Sequence, residues 1–290
     1  MSLRQAVRLA VRTLSQAGVD SAEFDAVALA ASALKSTTSE VRKLMIIGAP
    51  VPAGFEDLVA ERARRVPLQH LTGRAGFRRL ELRVGPGVFV PRFETELVAG
   101  LAISHLRMAT ERSRPAVVVD LCTGSGAIAL AIKDEVPAAQ VYGVELSELA
   151  HAWAIRNRDG LGLDVDIRLG DAKRAFPDLE AAVDVVVSNP PYIPVDAIPR
   201  DPEVRDHDPE VALYGGSPDG LRIPLETAAR AAVLLRPGGY FVMEHADVQG
   251  DALTAALAAT GMWQDIADHE DLNGRPRALT AVRGRAGDPS

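Results

Sequence analysis

The chain has 290 residues, 47% of them hydrophobic and 24% charged, so it can build a core, is not wholly disordered, and is long enough for one main domain plus a small accessory one. A formal charge of -7 argues against a broad phosphate-binding surface, because affinity for a nucleic-acid backbone comes from clustered Lys and Arg. The single cysteine, Cys122, excludes an intramolecular disulfide, and with no signal peptide or long apolar span the expectation is a cytoplasmic chain without a membrane segment.

The first elements read as helices. Leu3, Val7, Val11 and Leu14 fall at helical spacing, and Gly18 is placed to end that helix. Asp20 or Ser21 can cap a second helix with Phe24, Val27, Ala28 and Leu34 on its faces, and further helices are expected over Thr38–Ile47 and, after Pro52, over Ala53–Arg64. Arg62, Arg64, Arg65 and Arg74 read as a solvated basic face and are left out of the site.

From Ala116 onward strands and helices alternate, as in a doubly wound sheet. Ala116–Val119 is a β-branched run leading into Asp120, followed by Cys122-Thr123-Gly124-Ser125-Gly126 and a helix from Ala127 to Ile132. Glycines there let backbone approach a ligand, and N–H groups at a helix start favour acceptor groups. The pattern falls short of the dinucleotide fingerprint, since Ala129 occupies the third glycine position. Cys122, without His or Cys partners, reads as a packed thiol.

A second strand, Gln140–Val144, ends in Glu145, whose carboxylate can accept two hydrogen bonds from a vicinal diol. A third, Asp164–Leu169, closes on Gly170-Asp171-Ala172, where an acid can accept from an amino group. Each acid alone is a common cap or turn residue; three in succession at strand ends point to one ligand lying across the sheet.

The strand Val183–Val187 runs straight into Asn189-Pro190-Pro191-Tyr192. Two prolines stop strand and helix alike and remove N–H donors, which leaves the Asn189 and Pro190 carbonyls and the Asn189 side-chain oxygen as an acceptor array matched to a planar –NH2 group. Tyr192 offers a flat face for stacking. Asp196–Pro218 then reads as a lid or substrate loop without a regular element. Helix Leu221–Leu235, the turn Arg236–Gly239, strand Tyr240–Met243 and helix Gln249–Thr260 follow. Strands Trp263–Ala267 and Ala278–Val282, joined by the Asp271–Arg277 turn, form a closing antiparallel hairpin, and Gly284–Ser290 reads as a frayed tail.

In the order Asp120, Gly124, Gly126, Glu145, Asp171 and Asn189-Pro-Pro-Tyr192, the chain resembles class I methyltransferases that use S-adenosylmethionine and modify planar nitrogen. More narrowly, from residue 1 to 283 it is similar to the bacterial release factor glutamine methyltransferases. Pro67–Gly73 with Phe77, Val84–Glu96 (VGPGVFVPRFETE), Glu210–Gly216 with Asp219-Gly220-Leu221, and Asp271–Gly274 with Arg277 carry that narrower likeness. The resemblance implies an α/β fold: a doubly wound, mostly parallel seven-stranded sheet with a small N-terminal helical-bundle domain. It implies a substrate-recognition domain over 1–75, a β-hairpin linker over 76–92, in which Val84–Glu96 takes part, a methyltransferase domain over 93–283 and a flexible tail over 284–290.

The implied reaction is methylation of the side-chain amide of the glutamine in the Gly-Gly-Gln loop of class I peptide release factors, by a monomer that takes no metal and holds no nucleic acid stably. Asp120, Cys122, Thr123, Gly124, Ser125, Gly126, Glu145, Asp171, Ala172 and Asn189 are the implied cofactor residues. Asn189, Pro190 and Tyr192 are the implied catalytic residues, with Pro191 joining them in holding substrate. Cys122 replaces a glycine common in relatives, Glu145 an aspartate, Phe93 a proline, and Ala172 an aromatic residue beside adenine. Three other readings stay open: methylation of the adenine amino group in DNA or RNA, methylation of a ribosomal-protein glutamine, and a binding module that keeps the pocket without catalysis. The acidic balance and the lack of a target-recognition insert weigh against the first.

Overall fold

The computed structural model describes residues 1–108 and 114–285. The chain divides into two compact units, one of residues 1–74, 84–86 and 199–207, the other of residues 75–83, 87–198 and 208–290.

The first unit is helical. Helix α1 (Leu3–Gln16) starts with a capping box, Ser2 Oγ accepting from Gln5 N while Gln5 Oε1 accepts from Ser2 N. Leu3, Ala6, Val7, Ala10 and Leu14 form its buried stripe and pack with α2 (Ala22–Leu34), α3 (Thr38–Ile47) and α4 (Phe55–Ala63) around Leu29, Val41, Phe55 and Val59. Phe24, expected on a packed face, is 63% exposed; the small residues Ala22, Ala26 and Ala30 let α2 approach its neighbours instead. A short helix, α5 (Leu68–Thr72), precedes the crossing into the second unit.

The basic stretch departs from the sequence reading. Arg64 is a surface residue, but Arg62 is buried and joins Asp25 at 2.7 Å and Glu203 at 2.6 Å, while Arg65 grips both Glu203 oxygens at 2.7 and 2.6 Å. Glu203 belongs to α9 (Pro202–His207), inside the stretch read as a loop without regular structure. The helix persists there because its acid gives buried Arg62 a second counter-ion beside Asp25 and gives half-buried Arg65 a bidentate one.

A hairpin of β1 (Arg74–Phe77) and β2 (Leu80–Arg83), in the second unit from Ala75 on, precedes α6 (Glu96–Met108). The hairpin therefore ends where the Val84–Glu96 stretch begins; Gly85-Pro86-Gly87 and Pro91 leave that stretch as coil. Buried Asn157 ties the hairpin down, accepting from Arg83 N at 2.7 Å and donating to Arg83 O at 3.0 Å. The main sheet has seven strands: β3 (Val117–Leu121), β4 (Gln140–Glu145), β5 (Val165–Leu169), β6 (Val183–Ser188), β7 (Leu235–Glu244), β8 (Trp263–Glu270) and β9 (Pro276–Arg283). Their order is β5-β4-β3-β6-β7-β9-β8, parallel through β7 and antiparallel at β9 and β8.

Strand period two sorts the core. Val118, Val185, Val187 and Val242 pack with α6 and α7 (Ala127–Glu135), whereas Val117, Val119, Leu121, Val186, Phe241 and Met243 pack with α10 (Arg222–Leu234) and α11 (Gly250–Ala259). Each such valine contributes roughly 1.5–3 kcal/mol on burial, so a one-residue slip would invert both faces. The remaining helix, α8 (Glu148–Leu161), follows β4. Of the expected tail, residues 286–290 lie outside the described residues, and Gly284 still donates to Met262 O at 2.9 Å. Among the described residues no helix is long and apolar enough to cross a membrane.

Candidate active site

The chain winds from β3 outward through β4 to β5, then returns to β6 on the other side of β3. The carboxyl ends of β3 and β6 thus flank the switch point where ligands bind in such sheets. Register places Leu121 opposite both Val144 and Ser188, so Cys122, Glu145 and Asn189 leave the sheet at one level. Ser188 Oγ donates to the Leu121 carbonyl and pins the two strand ends together.

Alternation turns Asp120 toward α7, where Oδ2 accepts from Thr123 Oγ1 at 2.6 Å and Ala129 N at 3.2 Å. The carboxyl is fully buried, and burial pushes its pKa up to about 7 against the pull of those donors. Its Oδ1 has no hydrogen-bond partner among the described residues. Gly126 caps α7 at φ 87°, and a Cβ there would stand 2.9 Å from Leu130 Cδ1, so the tight turn requires glycine.

Glu145 uses each oxygen once, Oε2 accepting from Gly124 N and Oε1 from Ser147 N, both at 2.8 Å. Burial raises its pKa while those N–H groups oppose the shift. A carboxylate has about four lone-pair sites, so two remain for a diol. No atom lies within 4 Å of where a Cβ on Gly124 would be, leaving open space beside this acid. Asp171 is engaged locally: Oδ1 accepts from Lys173 N at 3.0 Å and Oδ2 lies 3.6 Å from Lys173 Nζ, with Ala172 half-buried beside it.

Asn189 and Tyr192 are set by residues the sequence reading did not assign. Asn189 Nδ2 donates to Thr95 Oγ1 at 3.2 Å, and Tyr192 OH donates to Glu244 Oε1 at 3.1 Å. Tyr192 is therefore held by its hydroxyl as well as presenting a ring, and burial raises its pKa beyond the ordinary phenol value. Among the described residues neither Asn189 Oδ1 nor the Pro190 carbonyl accepts a hydrogen bond from the chain. Gly220 explains part of the downstream motif: a Cβ there would stand 2.1 Å from the Tyr192 carbonyl, so only glycine lets that loop close on the site. Gln249 Nε2 donates to the same carbonyl at 2.9 Å.

Comparison with known proteins follows this division. Residues 5–73 match the model of the PrmC N-terminal domain, and residues 79–198 match the methyltransferase small domain. A release factor glutamine methyltransferase of Streptomyces coelicolor is 51% identical, covering 95% of this chain and 96% of its own. The chain belongs to the release factor glutamine methyltransferase family. It is an S-adenosylmethionine-dependent methyltransferase. A 4-amino-L-phenylalanine/4-methylamino-L-phenylalanine methyltransferase of Streptomyces pristinaespiralis is also similar, 39% identical over 97% of this chain and 95% of its own. A 16S rRNA methyltransferase of T. thermophilus, solved with AdoMet and guanosine, shares the sheet at TM-score 0.50 and 22% identity, covering 73% of this chain and 50% of that one.

The site fits the cofactor by its donor set: a glycine turn with open space, an acid with unused lone pairs at the next strand end, and the unpartnered buried Asp120 Oδ1 below. Cys122, at the position where the resemblance implies a glycine, sits at φ 68°, a backbone conformation that favours glycine. Left-handed backbone costs an L-residue about 1–2 kcal/mol, and most for β-branched side chains. Cys122→Gly is accordingly expected to be at least as stable as the parent, and Cys122→Val less stable by about 1–2 kcal/mol, with thermal melts at fixed pH giving the order.

Proposed function

We propose that this chain methylates the side-chain amide nitrogen of the glutamine in the Gly-Gly-Gln loop of class I peptide release factors. The observation that carries the reading is the Asn189-Pro190 acceptor pair, left unused by the fold at the switch point, in a chain half identical to a release factor glutamine methyltransferase. Asn189 Oδ1 and the Pro190 carbonyl take the two amide hydrogens of the substrate, Pro191 stiffens the turn, and Tyr192 covers the amide plane.

When bound, S-adenosylmethionine supplies an electrophilic methyl group on sulfonium. The Thr123–Gly126 turn and Asp120 hold its methionine end, Glu145 its ribose diol, and Asp171 with Ala172 its adenine. An amide nitrogen is a poor nucleophile because its lone pair is delocalised, so the protein's part is to aim it and favour pyramidalisation. Both acceptors bind the N–H groups more strongly as positive charge grows on nitrogen, which lowers the barrier instead of merely tightening substrate binding. The proton is lost after transfer.

Residues 1–75 form the part that grips the protein substrate, joined by residues 76–92 to the catalytic part, and the chain acts as a cytoplasmic monomer. Replacing Glu145 by Ala removes charged hydrogen bonds worth about 1.5–3 kcal/mol each, so the Kd for S-adenosylmethionine should rise at least tenfold by calorimetry while kcat at saturation changes little.

A second reading, methylation of an aromatic amine, is favoured by the Streptomyces pristinaespiralis relative, which matches this chain end to end. Radiolabelled methyl transfer with release factor, its glutamine-to-alanine variant, 4-aminophenylalanine, ribosomal protein and DNA in parallel separates them. Label on release factor that vanishes with the glutamine supports the proposal. Label on the free amine or on DNA instead overturns it.

A further inference from the structure

Gln249 stands at the N-cap of α11, where a short polar side chain normally accepts from the first N–H groups of its own helix, yet it makes no capping bond. Its side chain is spent elsewhere. The residue is 5% exposed, and Nε2 donates to the Tyr192 and Asp219 carbonyls, both at 2.9 Å, while Oε1 accepts from Ala246 N at 3.0 Å. Two acceptors face the nitrogen and one donor faces the oxygen, so the amide has one orientation and both its hydrogens are used.

Those bonds join the end of the Asn189–Tyr192 loop, the 216–220 turn and the turn between β7 and α11 at one point. Packing there is close. A Cβ on Gly220 would stand 2.9 Å from Gln249 Nε2, and one on Gly215 would stand 1.9 Å from the Gly220 carbonyl oxygen. Past Tyr192 the chain pairs at once, Ile193 N donating to Leu213 O and Gly215 N to Ile193 O, both at 2.8 Å.

The Asn189–Tyr192 loop needs such a tie. Its two prolines lack N–H donors, so a backbone ladder cannot hold it, and its acceptors must stay free for the substrate. Ring closure fixes φ at Pro190 and Pro191, which leaves few torsions between Ser188, pinned to β3 and β7, and the Tyr192 carbonyl. Holding both ends sets the direction of the Pro190 carbonyl between them.

We propose that Gln249 is a positioning residue for methyl transfer: by clamping the Tyr192 carbonyl to the 216–220 turn, it fixes the aim of the Asn189-Pro190 acceptors at the substrate nitrogen. The proposal rests on the methyl-transfer reading of this site. Loss of the clamp acts on kcat, because displacing a positioned group by about 1 Å can cost on the order of a hundredfold in rate.

The test measures kcat, acceptor KM and cofactor Kd for the parent, Gln249→Met and Gln249→Glu. The methionine keeps the side chain's length without its donors; the glutamate keeps an acceptor for Ala246 N but sets oxygen against both carbonyls. Each should lose about 10- to 100-fold in kcat with cofactor Kd unchanged. Thr280→Val, which deletes a 2.8 Å bond from buried Thr280 to His269 elsewhere in the sheet, controls for lost stability and should lower the melting temperature while keeping kcat. Backbone 15N shifts of Ile193 and Gly220, which respond to hydrogen bonding at the preceding carbonyl, should move in Gln249→Met and not in Thr280→Val. In the parent, the Gln249 side-chain NH2 should exchange slowly with solvent. A kcat as well preserved in the Gln249 variants as in Thr280→Val, a defect confined to acceptor KM, or a rapidly exchanging Gln249 amide overturns the clamp. Should Gln249→Met fail to fold, Gln249→Glu and the parent's amide exchange decide the matter. Failure of the parent to label release factor overturns the functional reading instead, while the resonances still judge the clamp.

Discussion

Asn189→Ala is expected to reduce kcat by about a hundredfold to a thousandfold at saturating S-adenosylmethionine, the loss typical of deleting one preorganised hydrogen bond that strengthens in the transition state. Among the described residues the side chain makes one hydrogen bond, to Thr95, so its removal should disturb folding by no more than about 1–2 kcal/mol. The acceptor it supplies is matched by the Pro190 carbonyl, which backbone geometry protects from mutation. The residual rate therefore reports what that carbonyl and alignment achieve alone. Single-turnover transfer of labelled methyl to release factor, read beside a cofactor titration, separates the outcomes. A kcat near the parent value would mean that Asn189 does not hold the reacting nitrogen, whatever the family of the chain.

The parallel core was legible because each strand is a short β-branched run ending in an acid, a glycine or a proline. Val117–Leu121, Gln140–Glu145 and Val183–Ser188 stand within a residue or two of where local pattern puts them. Glu145 emerges with Asn189 at the switch point, beyond buried Asp120 in the register, because strand order, and not chain distance, sets their spacing. Less was legible wherever a pairing spans the chain. Thr95 meets Asn189 across 94 residues and Tyr192 meets Glu244 across 52, and nothing local marks either partner. Helix α6 is masked by an interior Gly100 and by the coil before it, while α8 mixes charge with a weak apolar stripe whose buried polar residue, Asn157, serves the hairpin and Ser125. The same blindness made Arg62 and Arg65 look solvated, since their partner Glu203 arrives 141 and 138 residues later.

Glu203→Ala is expected to free the 199–207 segment from the first helical unit. Removing one member of a buried ion pair typically costs about 3–5 kcal/mol, because the remaining charge stays buried without its counter-ion. Arg62 keeps Asp25 at 2.7 Å and Arg65 keeps the Gly18 carbonyl at 2.8 Å, which places the cost toward the lower end. With α9 only six residues long and, among the described residues, no other ion pair of this depth in it, the loss should appear as local opening before global unfolding. An opening cost reduced by about 3 kcal/mol is roughly a hundredfold faster proteolytic cleavage within 199–207 when reclosing outpaces cutting. The acid dependence has a definite sign. Burial works to raise the Glu203 pKa, yet Arg65, Asp201 and Arg62 together hold it far below the usual carboxylate range. A group depressed in the folded state contributes stability that is complete above its unfolded pKa, about 4.3, and is lost as pH falls toward the folded value. Protection of the segment in the parent should therefore decay below about pH 4, and Glu203→Gln should lack that component while retaining part of the packing. Equal cleavage rates in parent and Glu203→Ala at pH 7 would mean that α9 is held by its coil connections and not by the two arginines. In that case the acid limb should also be absent from the parent.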